Sequence, residues 1–291
     1  VGGIGVDLGR VGIWSRELRF HADRAAAADA AAELEELGYG ALFIPDVGGD
    51  VLGAVGELLD STRAIPLATG ILNIWMHDAG EVADGVAAIE RRHPDRFVLG
   101  LGASHAAVVD AAGPARYGRP LSVMRAYLDA LDSQAVPPER RILAALGPRM
   151  LELARERSGG AHPYLVPPEH TLFAREVLGT APLLAPELSV LLDPDRERAL
   201  ERAREFVADY LRLPNYTNNL RRLGFDERDL AAPGSDRLVR ALVAFGDEQS
   251  IVDRVAAHHA AGADHVALHV IGAGETLPRD AWRALADALL R

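Results

Sequence analysis

The chain has 291 residues, with 42 Asp and Glu against 31 Lys and Arg, a formal net charge of -11 and no cysteine. So acidic a surface repels phosphate backbones and anionic lipids, so neither nucleic acid nor membrane is an expected partner. The missing cysteine excludes disulfides, thiolate nucleophiles and zinc–thiolate sites, and it suits a reducing cytoplasm.

No run of about 18 apolar residues announces a transmembrane helix. The start, Val1-Gly2-Gly3-Ile4, lacks the basic and apolar regions of a signal peptide. It enters a strand directly, so a short leader is expected to be missing. From there, short apolar runs alternate with longer segments rich in Ala, Leu, Glu and Arg. Strands are expected at Ile4 to Leu8, Ala41 to Pro45, Ile65 to Leu72, Phe97 to Leu101, Arg141 to Leu146, His162 to Val166, Leu184 to Leu192 and His265 to Ile271. Several are continuously apolar, as parallel strands covered on both faces are. Eight strands with intervening helices in a chain of this length predict one (β/α)8 TIM barrel over residues 1–291.

The helices have clear ends. Arg24 to Leu37 stops at Gly38, a good residue just past a helix. Gly147-Pro148 and Pro167-Pro168 each open a helix. Asp193-Pro194 opens the longest, Asp195 to Leu213. About 70 residues then separate the seventh and eighth strands. Within them Pro214 to Asn219 reads as a polar stretch between helices, and Arg237 to Phe245 as a helix. Residues 214–245 are therefore expected to be a helical insertion on the barrel, between strands 7 and 8.

In such a barrel, side chains just past the strands' carboxyl ends converge on one mouth. That rule selects Asp46; Asn73 and Trp75; Gly102, Ser104 and His105; Gly147-Pro148-Arg149; His162 and Tyr164; and His269. Gly100-Leu101-Gly102 is a partial GxG that lacks the rest of a dinucleotide fingerprint. Its glycines let either a helix approach the rim or a flat ring lie against backbone. Gly147-Pro148-Arg149 starts a helix, whose unpaired N–H groups attract anions, and Arg149 adds a cation. The plainer reading is a helix start with a solvated arginine. Asp46, after Pro45, either caps a helix or acts at the mouth. Trp75 and Tyr117 either pack the mouth or touch substrate. The histidines show no H-E-x-x-H spacing, so no catalytic metal is expected.

The segment from Ile65 to Ile74, then the helix from Glu81 to Arg92, then Asp95-Arg96-Phe97-Val98-Leu99-Gly100-Leu101-Gly102, resembles the luciferase-like monooxygenases of the flavin and deazaflavin barrel superfamily. More narrowly, Ala145 to Met150, His162-Pro163-Tyr164 and Leu213 to Asn219 resemble an actinobacterial subfamily thought to use coenzyme F-420, an 8-hydroxy-5-deazaflavin. The resemblance implies a non-prolyl cis peptide at Gly70–Ile71 behind the deazaflavin ring. It implies Asp46 and Asn73 near the ring's polar edge, with Gly102, Ser104 and His105 along the ring and its chain. Leu146, Gly147, Pro148 and Arg149 would hold the phosphate, flanked by His162, Pro163 and Tyr164. Many deazaflavin-dependent relatives carry Asp-His after the second strand, whereas this chain has Asp46-Val47. The imidazole is absent there, and Asp46 and His105 are the candidates for catalysis. The expected activity is hydride transfer between the deazaflavin and a small organic substrate, with Trp75 and Tyr117 as pocket walls. Alternatives are an FMN-dependent monooxygenase fed by a separate reductase, a non-catalytic flavin-binding barrel, and a metal-dependent hydrolase. A homodimer is a further expectation.

Overall fold

The computed structural model describes residues 3–106, 109, 117–274 and 276–291; Val1 and Gly2, where the missing leader was read, lie outside them. The first elements are β1 (Val11–Trp14), α1 (Glu17–Phe20), α2 (Arg24–Glu36), β2 (Leu42–Ile44), α3 (Val51–Asp60), β3 (Leu67–Thr69), β4 (Leu72–Asn73) and α4 (Ala79–Arg92). Next come β5 (Phe97–Gly102), α5 (Pro120–Ser133), β6 (Arg141–Leu143), α6 (Pro148–Arg157), β7 (Gly160–Ala161), α7 (Pro168–Leu178), β8 (Leu183–Leu184) and β9 (Glu187–Leu192). The chain ends with α8 (Arg196–Tyr210), α9 (Pro214–Arg222), α10 (Glu227–Leu230), α11 (Asp236–Leu242), β10 (Val243–Gly246), α12 (Glu248–Ala260), β11 (Val266–Val270) and α13 (Arg279–Leu289).

Every strand pairing is parallel, in the order β10-β9-β11-β1-β2-β3-β5-β6-β7-β8, with β4 on β5. The sheet curls far enough for its two arms to share one segment. Leu183 and Leu184 pair with β7, and Glu187 to Val190 pair with β11. Between them, Ala185 N–H donates to Ala161 O and Ala267 N–H donates to Pro186 O. Trp14, Phe43, Ala68, Val98, Ile142 and Ala267 fill the inside of the curl, one from each of six strands. Their neighbours Ile13, Leu42, Leu67, Leu99, Leu143 and Leu268 face outward into the layer shared with the helices. Burial on both faces explains the continuously apolar strand sequences.

The strand expectations fail at informative places. Ile4 to Leu8 is not a strand; the first strand is Val11–Trp14. Val6 and Leu8 are buried in the same inner cluster, so their alternation with Gly5 and Asp7 reflects plugging of the curl. The third run breaks in two at a cis Gly70–Ile71 peptide. The sixth strand is Gly160–Ala161, not His162 to Val166, because Pro163 has no N–H to donate and Leu165 turns the chain at φ 54. Pro186 divides the seventh.

Within 214–245 the polar stretch is itself helix α9, with Pro214 at its first position. The helix expected over Arg237 to Phe245 ends at Leu242, and Val243–Gly246 is a strand paired with β9. A short apolar run fits either state by periodicity, and β9 offers a free edge for it.

Gly100 is required by close approach. A Cβ there would stand 1.9 Å from the carbonyl oxygen of Thr69, whose hydroxyl also bonds both Gly100 N and O, at 2.8 and 2.7 Å. Gly100→Ala is expected to cost about 1–3 kcal/mol of stability through overpacking, read as a lower urea midpoint with an unchanged m-value.

Candidate active site

Asp46 leaves the end of β2 directly into the mouth. Its side chain is fully buried and saturated. One oxygen accepts from Gly48 N at 3.0 Å and faces Arg19 Nη1 at 3.4 Å. The other accepts from Asn73 N at 3.0 Å and lies 2.8 Å from Nε2 of His77. Arg19 is nearly as buried; it also donates to Pro45 O at 2.6 Å and to Gly48 O. A buried carboxylate is tolerable when so partnered.

His77 therefore brings an imidazole to Asp46 from the loop after β4, although residue 47 is valine. Reading only the position after Asp46 missed it. The signal available was that Asn73 to His77 leave the mouth immediately beyond the cis Gly70–Ile71 peptide. The His77 side chain is 22 % exposed against 0 % for Asp46, so the pair has one sealed end and one open end.

The same patch gathers the ring candidates. Asn73 stands in register with Gly102, and Asp46 N–H donates to Ile71 O at 3.3 Å. A Cβ on Gly102 would lie 2.4 Å from the tip of Ile71, so that glycine makes room for the Ile71 side chain. Trp14 Nε1 donates to Gly70 O at 2.6 Å. Trp75 is fixed by its backbone N–H to Asn73 Oδ1 and its indole N–H to Ala103 O, at 3.1 and 2.8 Å, and its ring lies 5.5 Å from that of Tyr117. Tyr117 donates to Ser104 O at 3.4 Å, and Ser104 adopts φ 52.

Helix α9 ties two further parts together. Its Asn215 meets His105, Oδ1 to Nδ1 at 3.1 Å, and Tyr216 lies against the same ring at 5.3 Å. Burial holds the His105 pKa below its ordinary value, with the Asn215 hydrogen bond opposing. At its other end, Arg222 faces Gly147, with Nη2 3.4 Å from where a Cβ would stand. Gly147 is the N-cap of α6 and no side chain caps that helix. Leu146 O, just before it, accepts from Nε2 of buried His170 at 2.9 Å. Arg149 is exposed, and among the described residues nothing bonds its guanidinium. An uncapped helix start with two guanidinium groups on hand suits a phosphate. Arg222, far from Gly147 in sequence, carried no local motif.

His162, Pro163 and Tyr164 are set apart from that group. His162 is sealed inside the curl, stacked on Phe43 at 4.6 Å and bonded through Nδ1 to Ala185 O at 2.6 Å. Pro163 is buried beside it. Tyr164 joins an aromatic wall with Trp14 and Tyr210, at ring distances of 5.4 and 5.6 Å. Among the described residues no three His, Asp or Glu side chains converge to hold a metal ion, and no helix is long and apolar enough to cross a membrane.

The arrangement can hold an anion at one side, seat an apolar ring beside Ile71 and Asn73, and handle a proton at Asp46–His77. Solved structures share its fold. An F420-dependent secondary alcohol dehydrogenase in complex with an F420–acetone adduct superposes with a TM-score of 0.75 at 12% identity, covering 97% of this chain and 98% of that one. The coenzyme F420-dependent tetrahydromethanopterin reductase of Methanopyrus kandleri does so at 0.75 and 16% identity, with the same coverage. The oxygenating constituent of 3,6-diketocamphane monooxygenase from Pseudomonas putida, a type II Baeyer–Villiger monooxygenase in complex with FMN, gives 0.69 and 12% identity over 96% of each chain. No curated protein matches the chain. The family model described as luciferase-like monooxygenase matches residues 10–265, and this chain belongs to that family.

Proposed function

We propose that the protein is an oxidoreductase that uses the deazaflavin coenzyme F-420 to transfer a hydride to or from a small organic substrate. The observation that carries this reading is the Asp46–His77 pair, set against Asn73 beside the cis Gly70–Ile71 peptide. When bound, the coenzyme supplies the hydride chemistry. Gly70, Ile71, Asn73, Gly102 and Ser104 would hold its ring and chain. Leu146, Gly147, Pro148 and Arg149, with Arg222, would hold its phosphate. The chain's own work is to orient the substrate at the mouth, keep water from it with the aromatic wall, and move a proton at His77 while Asp46 holds the imidazole in place. Residues 214–242, ahead of strand β10, form a helical insertion whose α9 joins the two halves of the site. The cysteine-free sequence supports a place in the cytoplasm.

FMN is the second reading, favoured by the FMN complex among structures of the same fold. Titrating the purified protein with each coenzyme separates the two. Coenzyme F-420 is expected to bind in preference; tight FMN binding with none of the deazaflavin would sink the first reading. In either case Arg222→Ala is expected to weaken coenzyme binding about 10–100-fold, the worth of one hydrogen bond to a charged group, measured by fluorescence titration. An affinity unchanged in that variant removes Arg222 from the phosphate site.

A further inference from the structure

His162, His170, His258, His259 and His265 each keep one ring nitrogen sealed from solvent and unpartnered. His269, on the inner face of β11, is arranged differently. Its ring lies 4.3 Å from that of Trp14 and edge-on to Phe206 at 5.7 Å. Its Nδ1 is 3.2 Å from the Tyr164 hydroxyl and 3.4 Å from a carboxylate oxygen of Glu187. Its Nε2 has no partner among the described residues, yet it is absent from the sealed nitrogens. That atom therefore keeps some exposure, on a side chain that is 10 % exposed.

Glu187 is fully buried on β9. One oxygen accepts from Leu165 N–H at 2.9 Å and the other from the Ser189 hydroxyl at 2.6 Å. Both oxygens thus act as acceptors. A bare Nδ1 on His269 would set its lone pair against that carboxylate, so the ring proton belongs on Nδ1. Tyr164 then accepts from Nδ1 and donates its own hydrogen to Tyr210, 2.9 Å away. Burial keeps both phenols protonated, with Tyr210 pushed up to about 12. His162 and Tyr216 also face Glu187. The outcome is a fixed tautomer that leaves the Nε2 lone pair bare.

We propose that His269 is a second acid–base group of this site, across Trp14 from Asp46–His77, and that Glu187 is its positioning residue. Trp14, Tyr164 and Phe206 surround the imidazole with apolar surface, and Nε2 is the polar point among them. The wall fits a substrate with an apolar carbon body and one hydroxyl or carbonyl oxygen. The proton step balances within the pair. The substrate O–H bond breaks, an Nε2–H bond forms, and Glu187 meets the imidazolium charge; in reverse, Nε2–H returns the proton to the oxygen. The proposal rests on the mouth being the reaction site, as argued above, but not on which coenzyme is used.

Long-range proton–nitrogen spectra of the 15N-labelled protein without coenzyme test it, with His269→Asn to assign the resonances and cyclohexanol as the probe. In the wild type, His269 is expected as the Nδ1–H tautomer, with its Nε2 resonance shifting as millimolar cyclohexanol is added. In Glu187→Gln an amide NH2 replaces the acceptor beside Nδ1, and the proton is expected on Nε2. Loss of the cyclohexanol shift in that variant supports a positioning role, which a merely structural residue would not show. A wild-type Nε2–H tautomer, or an Nε2 resonance unmoved by cyclohexanol, overturns the proposal. The wild-type spectra decide it even if Glu187→Gln does not fold. A failed coenzyme titration leaves these outcomes readable, so the two readings fall separately.

Discussion

Replacing His77 by glutamine is expected to lower turnover by about 10²–10⁴-fold, the ordinary contribution of a positioned proton donor or acceptor. Coenzyme affinity should stay within about twofold, because on the proposed reading the phosphate would be held elsewhere, at Gly147 and its two arginines. The asymmetry of the Asp46–His77 pair is the reason. Asp46 is sealed and already takes hydrogen bonds from Gly48 and Asn73. It is therefore poorly placed to meet substrate itself. His77 turns one nitrogen to Asp46 at 2.8 Å and leaves the other on the partly exposed side of the ring, so it can pass a proton while the carboxylate fixes its tautomer. His105 offers a useful contrast. Burial lowers its pKa, so it is neutral at pH 7, and its Nδ1 is engaged with Asn215. His105→Gln should cost less than His77→Gln in single-turnover hydride transfer. Turnover within about threefold of wild type in His77→Gln would remove the imidazole from the proton step.

Much of the scaffold could be read in advance because its signals are local and strong. Asp195 caps a long helix, Gly38 ends another, and runs such as Leu42-Phe43-Ile44 are buried on both sides. The first strand was misplaced because alternation cannot tell a strand from a plug: Val6 and Leu8 alternate with polar or small residues while filling the end of the curl. β10 was read as helix because four apolar residues fit both periods. The site divides in the same way. Asp46, Asn73 and Gly102 follow directly from strand ends, and the structure joins them through Asn73 N–H and the β4–β5 register. His77, Arg222 and Glu187 were invisible as partners because each meets its counterpart from another element, 31 residues away in the case of Asp46 and His77. Such pairs are made by tertiary packing and leave no spacing motif in the chain.

The largest stability effect is expected at Asp46. Asp46→Ala should destabilise the fold by about 3–5 kcal/mol, because it strips the buried Arg19 guanidinium of its ion-pair partner and leaves it only the weaker field of Asp50. It also orphans the N–H groups of Gly48 and Asn73, whose acceptor it removes. Arg19 cannot swing out to recover water, since its side chain is 4 % exposed and pinned to Pro45 O and Gly48 O. Asp46→Asn preserves the volume and one acceptor oxygen but turns an NH2 toward one of those donors. Its cost should be smaller, about 1–3 kcal/mol. The decisive measurement is a urea denaturation cycle that includes Asp46→Ala with Arg19→Met. If the penalty of the single variant is that of an uncompensated buried charge, the double variant should be more stable than Asp46→Ala alone, since removing both charges avoids it. If the two substitutions simply add, the penalty lies in the orphaned backbone donors instead. The mouth would then be held in shape by Asp46's hydrogen bonds to the chain, with Arg19 a bystander.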